Sequence, residues 1–205
     1  MKFLITAGPT REKIDPVRFI TNYSSGRMGY ALAAAAQKSG HEVLLISGPV
    51  ALPCPDGVTL LQVESAAEMA QAVHNHVQYA DVIIMAAAVA DYRPANPEQH
   101  KIKKRPGDLV LKLERTEDIL ASLGKCKRDN QLLIGFAAET DDLEQNALGK
   151  LSRKNLDWIA ANWVADGFGT NTNSLILFSR HGKRISLGSA GKDELAEKML
   201  QTVLE

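Results

Sequence analysis

The sequence predicts an α/β fold: a Rossmann-like, mostly parallel sheet with helices on both faces and a small antiparallel C-terminal appendage. Three observations predict it. Over the first 140 residues, short continuous apolar runs alternate with longer amphipathic segments, the pattern of strands buried on both faces and joined by crossover helices. The apolar runs at residues 3–7 and 41–47 each stop at a Gly-Pro pair, Gly8-Pro9 and Gly48-Pro49. With 205 residues, 45% hydrophobic and 23% charged, the chain has enough apolar material for a full core, which excludes global disorder.

Residues 3–7 form the first strand. Ser24-Ser25-Gly26 opens a helix ending at Ser39-Gly40; the serines are expected to cap its first amides, and Gly40 suits a left-handed stop. Residues 41–47 and 59–63 are the second and third strands. Ser65 and Glu68 have the capping-box spacing and open a helix to about Tyr79. Residues 81–87 and 132–137 are the fourth and fifth strands. Residues 109–114 alternate like a half-exposed antiparallel strand, and residues 174–179 and 184–187 form a hairpin about His181-Gly182-Lys183. Leu195, Met199 and Val203, with Leu200 and Leu204 beside them, give the last helix a stripe to pack on the sheet. There is no repeat, low-complexity tract or linker, so residues 1–205 read as a single nucleotide-binding domain.

Twenty-four basic residues balance twenty-four acidic ones. A nucleic-acid or polybasic membrane binder would carry a basic excess, so neither partner is expected. Cys54 and Cys126 make no metal-spaced pattern and are expected to be buried or half-buried thiols of a reducing compartment. The opening residues read as a strand, not a signal peptide, and no apolar stretch reaches the ~18 residues of a membrane span. A soluble, cytoplasmic protein is expected.

Ligands of an open parallel sheet collect where loops leave the carboxyl ends of its strands. The loop from Gly8 to Gly26 is far longer than the usual 2–6 residues. Gly8, Ser24, Ser25 and Gly26 lie on it or at the helix start it feeds, where free amides and the dipole attract anions. A phosphate loop is the favoured reading; an ordinary capped helix, with Arg18 a surface charge and Asn22 a turn residue, is the alternative. Ala86, Ala87, Ala88 and Asp91 end the fourth strand, suited either to a flat ligand near the backbone or to close packing with Asp91 as a cap. Lys101, Lys103, Lys104 and Arg105 place four cations in five positions, either a solvated loop or a mobile flap that closes on polyphosphate. Lys150 and Lys154 share a helix face, as a solubilising pair or as cleft cations. The acidic run Glu139, Asp141, Asp142 and Glu144 is explained by a helix dipole and not by a metal.

The competing class is an NAD(P)-dependent oxidoreductase. The first strand lacks a following G-x-G-x-x-G, the second ends without a carboxylate for a ribose, and none of the four tyrosines has a lysine four residues on. A pure binding module explains the fold but not the long loop and basic segment together.

Taken in order, Thr6-Ala7-Gly8-Pro9-Thr10-Arg11-Glu12, Asp15-Pro16-Val17-Arg18-Phe19-Ile20-Thr21-Asn22, Ser24-Ser25-Gly26-Arg27-Met28-Gly29, Ala86-Ala87-Ala88-Val89-Ala90-Asp91-Tyr92-Arg93, Lys101-Ile102-Lys103-Lys104, Gly135-Phe136-Ala137-Ala138-Glu139-Thr140 and Arg153-Lys154-Asn155-Leu156-Asp157 closely resemble the bacterial phosphopantothenoylcysteine synthetases over essentially the whole chain. The resemblance implies a ligase that joins 4′-phosphopantothenate to L-cysteine in coenzyme A biosynthesis. CTP would be the nucleotide, with Mg²⁺ on its triphosphate, an acyl-cytidylate intermediate, and CMP and pyrophosphate as products.

By position, the resemblance assigns Asn22 to the acyl-cytidylate and Arg18 to the neighbouring subunit's phosphopantothenate. It assigns Lys101 to the amide-forming half and Ala87, Ala88 and Asp91 to the substrate pocket. Nucleotide contacts fall to Met85, Ala86, Ala87, Asp91, Lys101, Phe136, Lys150 and Lys154, and to Glu117, Asp118, Ile119 and Leu120. Two departures are Met85 before the alanines and Thr116-Glu117-Asp118 where Asn-Pro-Asp is common. The family also implies a homodimer, with the C-terminal hairpin and residues 109–114 as interface candidates. It implies a flavin-dependent phosphopantothenoylcysteine decarboxylase, fused or separate, so the chain is read as a stand-alone synthetase or a piece of a fusion. Metal ligands are not assigned.

Overall fold

Strand β1 (Lys2–Ala7) lies inside the sheet, as its unbroken apolar run requires: Phe3, Leu4, Ile5 and Ala7 are all buried. The structure, a computed structural model, describes residues 1–104, 106–167 and 171–205. After β1 come β2 (Arg11–Lys13), β3 (Phe19–Thr21), α1 (Arg27–Lys38), β4 (Glu42–Ser47), β5 (Thr59–Gln62) and α2 (Ala66–His76). They are followed by β6 (Val82–Met85), β7 (Tyr92–Pro94), β8 (Leu113–Arg115), α3 (Ile119–Cys126), β9 (Leu132–Glu139) and α4 (Leu143–Arg153). The chain ends with β10 (Trp158–Trp163), the short α5 (Val164–Gly167), β11 (Thr172–Ser179), β12 (Arg184–Gly191) and α6 (Lys192–Leu204).

Eight strands form one sheet in the order β12-β11-β10-β9-β6-β1-β4-β5. Pairing is parallel from β10 to β5 and antiparallel from β10 through β11 to β12. The chain winds outward from β1 through β4 and β5, then returns to β6 on the other side of β1, so the topological switch point lies between β1 and β6. Helices α1 and α6 cover one face, and α2, α3 and α4 cover the other. The small side chains of α1 allow close approach: a Cβ on Gly29 would meet the Ala7 Cβ at 2.5 Å. Leu32 of α1 and Leu195 and Met199 of α6 are fully buried in that layer, each contributing about 1.5–3 kcal/mol.

The doubly wound sheet is as the periodicity predicts, and the expected C-terminal hairpin is antiparallel. It continues the main sheet through β11. Gly40 has φ +79°, the left-handed stop expected. Several details differ. Helix α1 starts one residue past the serines: Gly26 is the cap residue at φ +77°, with no side-chain cap, and Ser24 Oγ accepts only the Gly26 amide at 3.3 Å. Ser65 Oγ caps the Glu68 amide, but the Glu68 carboxylate reaches back to the Glu64 amide, and α2 ends at His76 in a 3-10 turn. Residues 109–112 form no strand, and the short β8, all three of its residues exposed, pairs antiparallel with β7, so no half-buried alternation exists there. Leu204 falls outside the buried stripe of α6.

Both cysteines are exposed, contrary to expectation, because Cys54 sits on the open loop before β5 and Cys126 on the outer last turn of α3. Strand β10 and helix α3 had no counterpart in the sequence reading, nor had the β2–β3 hairpin inside the long loop. Among the described residues no helix is long and apolar enough to cross a membrane.

Candidate active site

The loops after β1 and β6 leave the switch point side by side and are bonded to each other. Ala88 donates its amide to the Gly8 carbonyl at 2.9 Å, and its own carbonyl accepts the Thr10 amide at 3.2 Å. Thr6 and Thr10, buried in the strand and loop, accept the amides of Ala87 and Ala90 at 3.2 and 3.0 Å. Asn22 completes this seam: its Nδ2 donates to Ala88 O at 2.9 Å, which fixes the amide at the wall of a cleft of about 300 Å³.

That cleft brings together Asn22, Ser24, Ser25, Gly26, Ala86, Ala87, Ala88, Asp91, Phe136 and Lys150. A wider depression of about 880 Å³ lies across the Ser24–Arg27 rib, between Arg11, Val50, Leu52 and Glu64, and takes only Ser24 and Ser25 from the predicted set. The chemistry-bearing residues therefore select the smaller space. Phe136 is half-buried on β9 and offers a ring surface. Lys150 reaches the same cleft from α4, its Nζ donating to Phe136 O at 2.7 Å. Burial first, and Lys154 second, push the Lys150 ammonium below its ordinary range, while Glu139, Asp118 and Asp91 support its charge.

The remaining predicted residues stand around this cleft or outside its lining. Gly8 holds a left-handed turn at φ +74° behind the seam, and Met85 is buried in the sheet. Lys154 Nζ pairs with Asp118 Oδ1 at 2.8 Å. Burial opposes the Asp118 carboxylate, yet Lys154 and the Ala121 amide it caps hold it below the usual carboxylate range. Glu117 faces α2, where His74 Nε2 lies 2.7 Å away and lowers its carboxyl. Ile119 and Leu120 are buried in the α2–α4 layer.

Arg18 turns to Asp15, pairing through Nη2 and donating from Nε at 3.1 Å, and its Nη2 also donates to Ile102 O at 3.2 Å. Lys101 is exposed beside that contact and does not line the cleft. Arg105, the last cation of the basic run, lies outside the described residues.

Sequence reasoning missed Arg27, Asn162, Asn173 and Lys192, which also line the cleft. The polar ends of β10 and β11 and the lysine opening the last helix carry no motif; only the strand order brings them there. Among the described residues no group of three or more His, Cys, Asp or Glu side chains suits a metal ion, and Asp91 is the only carboxylate lining the cleft.

The chain and its fold have counterparts. The bifunctional coenzyme A biosynthesis protein CoaBC of Bacillus subtilis is 48% identical over 98% of this chain and 50% of its own length. The chain thus spans about half the length of the curated relatives it matches. A crystal structure of the C-terminal domain of a CoaBC protein superposes with TM-score 0.85 at 50% identity, covering 98% of this chain and 93% of that one. The Cab2 H337A mutant, in complex with phosphopantothenate-cysteine, shares the fold at TM-score 0.82 and 19% identity, over 99% of this chain and 85% of its own. The family model for the DNA/pantothenate metabolism flavoprotein C-terminal domain matches residues 1–205, and the chain belongs to that family.

Proposed function

We propose that this chain is a phosphopantothenate–cysteine ligase of coenzyme A biosynthesis, using CTP and an acyl-cytidylate intermediate. The observation that carries the reading is the convergence of Asn22, Asp91, Phe136 and Lys150 on one cleft at the switch point, in a chain whose near relatives are coenzyme A biosynthesis proteins. The carboxylate of 4′-phosphopantothenate attacks the α-phosphorus of the triphosphate, and the bond to the bridging oxygen breaks with its electron pair leaving on pyrophosphate. Cysteine's amine then attacks the acyl carbon, gives up a proton, and expels CMP.

Such chemistry is mainly positioning and charge stabilisation. Asn22, fixed by Ala88 O, orients the acyl phosphate; Lys150 neutralises phosphate charge; Phe136 packs against the base. The donor set suits Mg²⁺ arriving with the nucleotide, since such an ion keeps most of its waters and takes only one or two carboxylates from protein. Asp91 would be that carboxylate, and the ion would neutralise triphosphate charge. Arg18 and Lys101 act from the loops at the rim, Arg18 across a homodimer for which the exposed β7–β8 ribbon and the β11–β12 hairpin are the candidate faces. CTP is chosen from the family resemblance. The reaction belongs in the cytoplasm, and the family resemblance supplies a decarboxylase partner, fused or separate, for which the greater length of the bifunctional relatives leaves room. The oxidoreductase reading gains nothing, since the loop after β1 is occupied by the β2–β3 hairpin and no glycine-rich dinucleotide turn.

The test is pyrophosphate release with 4′-phosphopantothenate and Mg²⁺, using CTP or ATP, with and without cysteine. CTP-dependent release, with CMP and amide formed only when cysteine is present, is the expected result. Release with ATP alone would change the nucleotide; no release with either, but binding of NAD(H), would revive the oxidoreductase.

A further inference from the structure

One wall of the cleft is built by the C-terminal part of the chain. Because β11 runs antiparallel to β10 and β12 antiparallel to β11, the chain leaves β12 at the same end of the strands at which it leaves β10. Helix α6 therefore begins beside the cleft, and its first residue is Lys192, only 7% exposed, with Nζ donating to Gly167 O at 2.9 Å. Lys192 lines the cleft together with Arg27, the first residue of α1.

The position is costly for a cation. The first turn of a helix carries positive partial charge, which opposes an ammonium there. Burial opposes it again and the Arg27 guanidinium a third time, and these last two, in that order, push the Lys192 ammonium below the ordinary lysine range. Arg27 is exposed on the rib and, among the described residues, makes no hydrogen bond or ion pair. Asp91 is the one carboxylate among the described lining residues, and it adds to the support of the Lys150 ammonium. Either cation alone has an ordinary explanation, as a surface charge or as a bonded core lysine. Two of them converging on one open volume, next to a helix start that has no side-chain cap, favour an anion with more than one charge.

We propose that Arg27 and Lys192 form a clamp for the β- and γ-phosphates of the nucleoside triphosphate and hold the pyrophosphate that leaves. The inference rests on the ligase reading for the identity of the nucleotide. In the first half-reaction the electron pair of the breaking bond comes to rest on the departing pyrophosphate, and the two cations face that growing charge while Lys150 reaches the cleft from α4. No proton is transferred in this step.

The experiment is calorimetric titration of the wild-type chain, Arg27→Gln and Lys192→Met with inorganic pyrophosphate, CTP and CMP. Arg27 is exposed, so its variant keeps the test valid even where Lys192→Met fails to fold. Pyrophosphate and CTP affinity are expected to fall tenfold or more in each folded variant, with CMP affinity within twofold of wild type. Unchanged pyrophosphate affinity in Arg27→Gln, an equal loss of CMP and CTP, or a wild-type chain that binds neither pyrophosphate nor CTP would overturn the clamp. Failure of the ligase reading would show separately, as no amide from 4′-phosphopantothenate, cysteine and CTP despite intact pyrophosphate binding by wild type.

Discussion

The Asp15 carboxylate accepts the backbone amide of Ile102 at 3.1 Å, across 87 residues of sequence. Arg18, paired with the same carboxylate, donates to the Ile102 carbonyl at 3.2 Å, and the Glu98 amide donates to Ile14 O at 2.9 Å. The basic segment is thereby fastened to the loop after β1 at Ile102 and, three residues ahead of Lys101, at Glu98. The residue proposed to act across the dimer and the segment proposed to close on substrate share one latch.

Replacing Asp15 with Asn removes the charge that gathers Arg18 and the amides of Val17, Arg18 and Ile102. Trypsin should then cut after Lys101, Lys103 or Lys104 at least fivefold faster than in wild type, with the melting temperature changed far less. An unchanged rate would mean that the latch does not restrain the segment. The Arg18 guanidinium, chiefly, holds the Asp15 carboxyl well below the usual carboxylate range, against its burial. A depressed carboxyl contributes stability that is complete above its unfolded value of about 3.9 and is lost only as pH falls through the lower folded value. Amide exchange at Ile102, corrected for intrinsic rate, should therefore stay slow between pH 7 and 4.5.

Lys150 carries the opposite sign. Its lowered ammonium means that the charge facing the nucleotide disappears at a lower pH than an ordinary lysine near 10.5 would lose it. CTP affinity should fall as pH rises toward 10, and Lys150→Arg should flatten that fall because a guanidinium stays charged. Lys150→Met should weaken CTP binding about tenfold at neutral pH, consistent with one charge-assisted bond. A pH profile identical in wild type and Lys150→Arg would remove Lys150 from the nucleotide site.

Gly124→Ala tests the packing that brings α3 against the end of α4. In an exposed helix the change would stabilise by about 1 kcal/mol. Here a Cβ would sit 1.8 Å from the Lys154 carbonyl oxygen, so backbone must move. A net loss of about 1–3 kcal/mol is expected, lowering the melting temperature by roughly 2–4 °C per kcal/mol. A raised melting temperature would show that the two segments separate at little cost.

If Arg18 serves the partner's site, inactive Arg18→Ala and Asn22→Asp chains should complement each other when mixed. About a quarter of wild-type activity is expected from a statistical mixture, half of it hybrids with one intact site of two. Verified hybrids without activity would place both residues in one subunit's reaction.

The regular parts of this molecule were legible because burial on both faces of a parallel strand writes itself as an apolar run. Residues 3–7 and 41–47 could hardly be anything else. Strand β10 was missed although Ile159, Ala160 and Ala161 are fully buried, since Trp158-Ile159-Ala160-Ala161-Asn162 follows a helix so closely that no turn residue marks its start beyond Asn155, at φ +49°. The alternation at 109–112 misled in the other direction: leucines and a valine alternate there without a partner strand or a core to face.

What the sequence determined by itself was local and chemical. It carried the strand and helix alternation, the long loop feeding α1, the small-residue segment after β6 and, of the cleft's cations, Lys150. What the tertiary structure alone decided was which charges meet. Strand order and direction depend on pairings between distant segments, so no local pattern records that an antiparallel hairpin would return the chain to the carboxyl end of the parallel strands. That return delivers Lys192 to Arg27, across 165 positions of sequence, whereas Glu117, assigned to the nucleotide by resemblance, turns to His74 on α2.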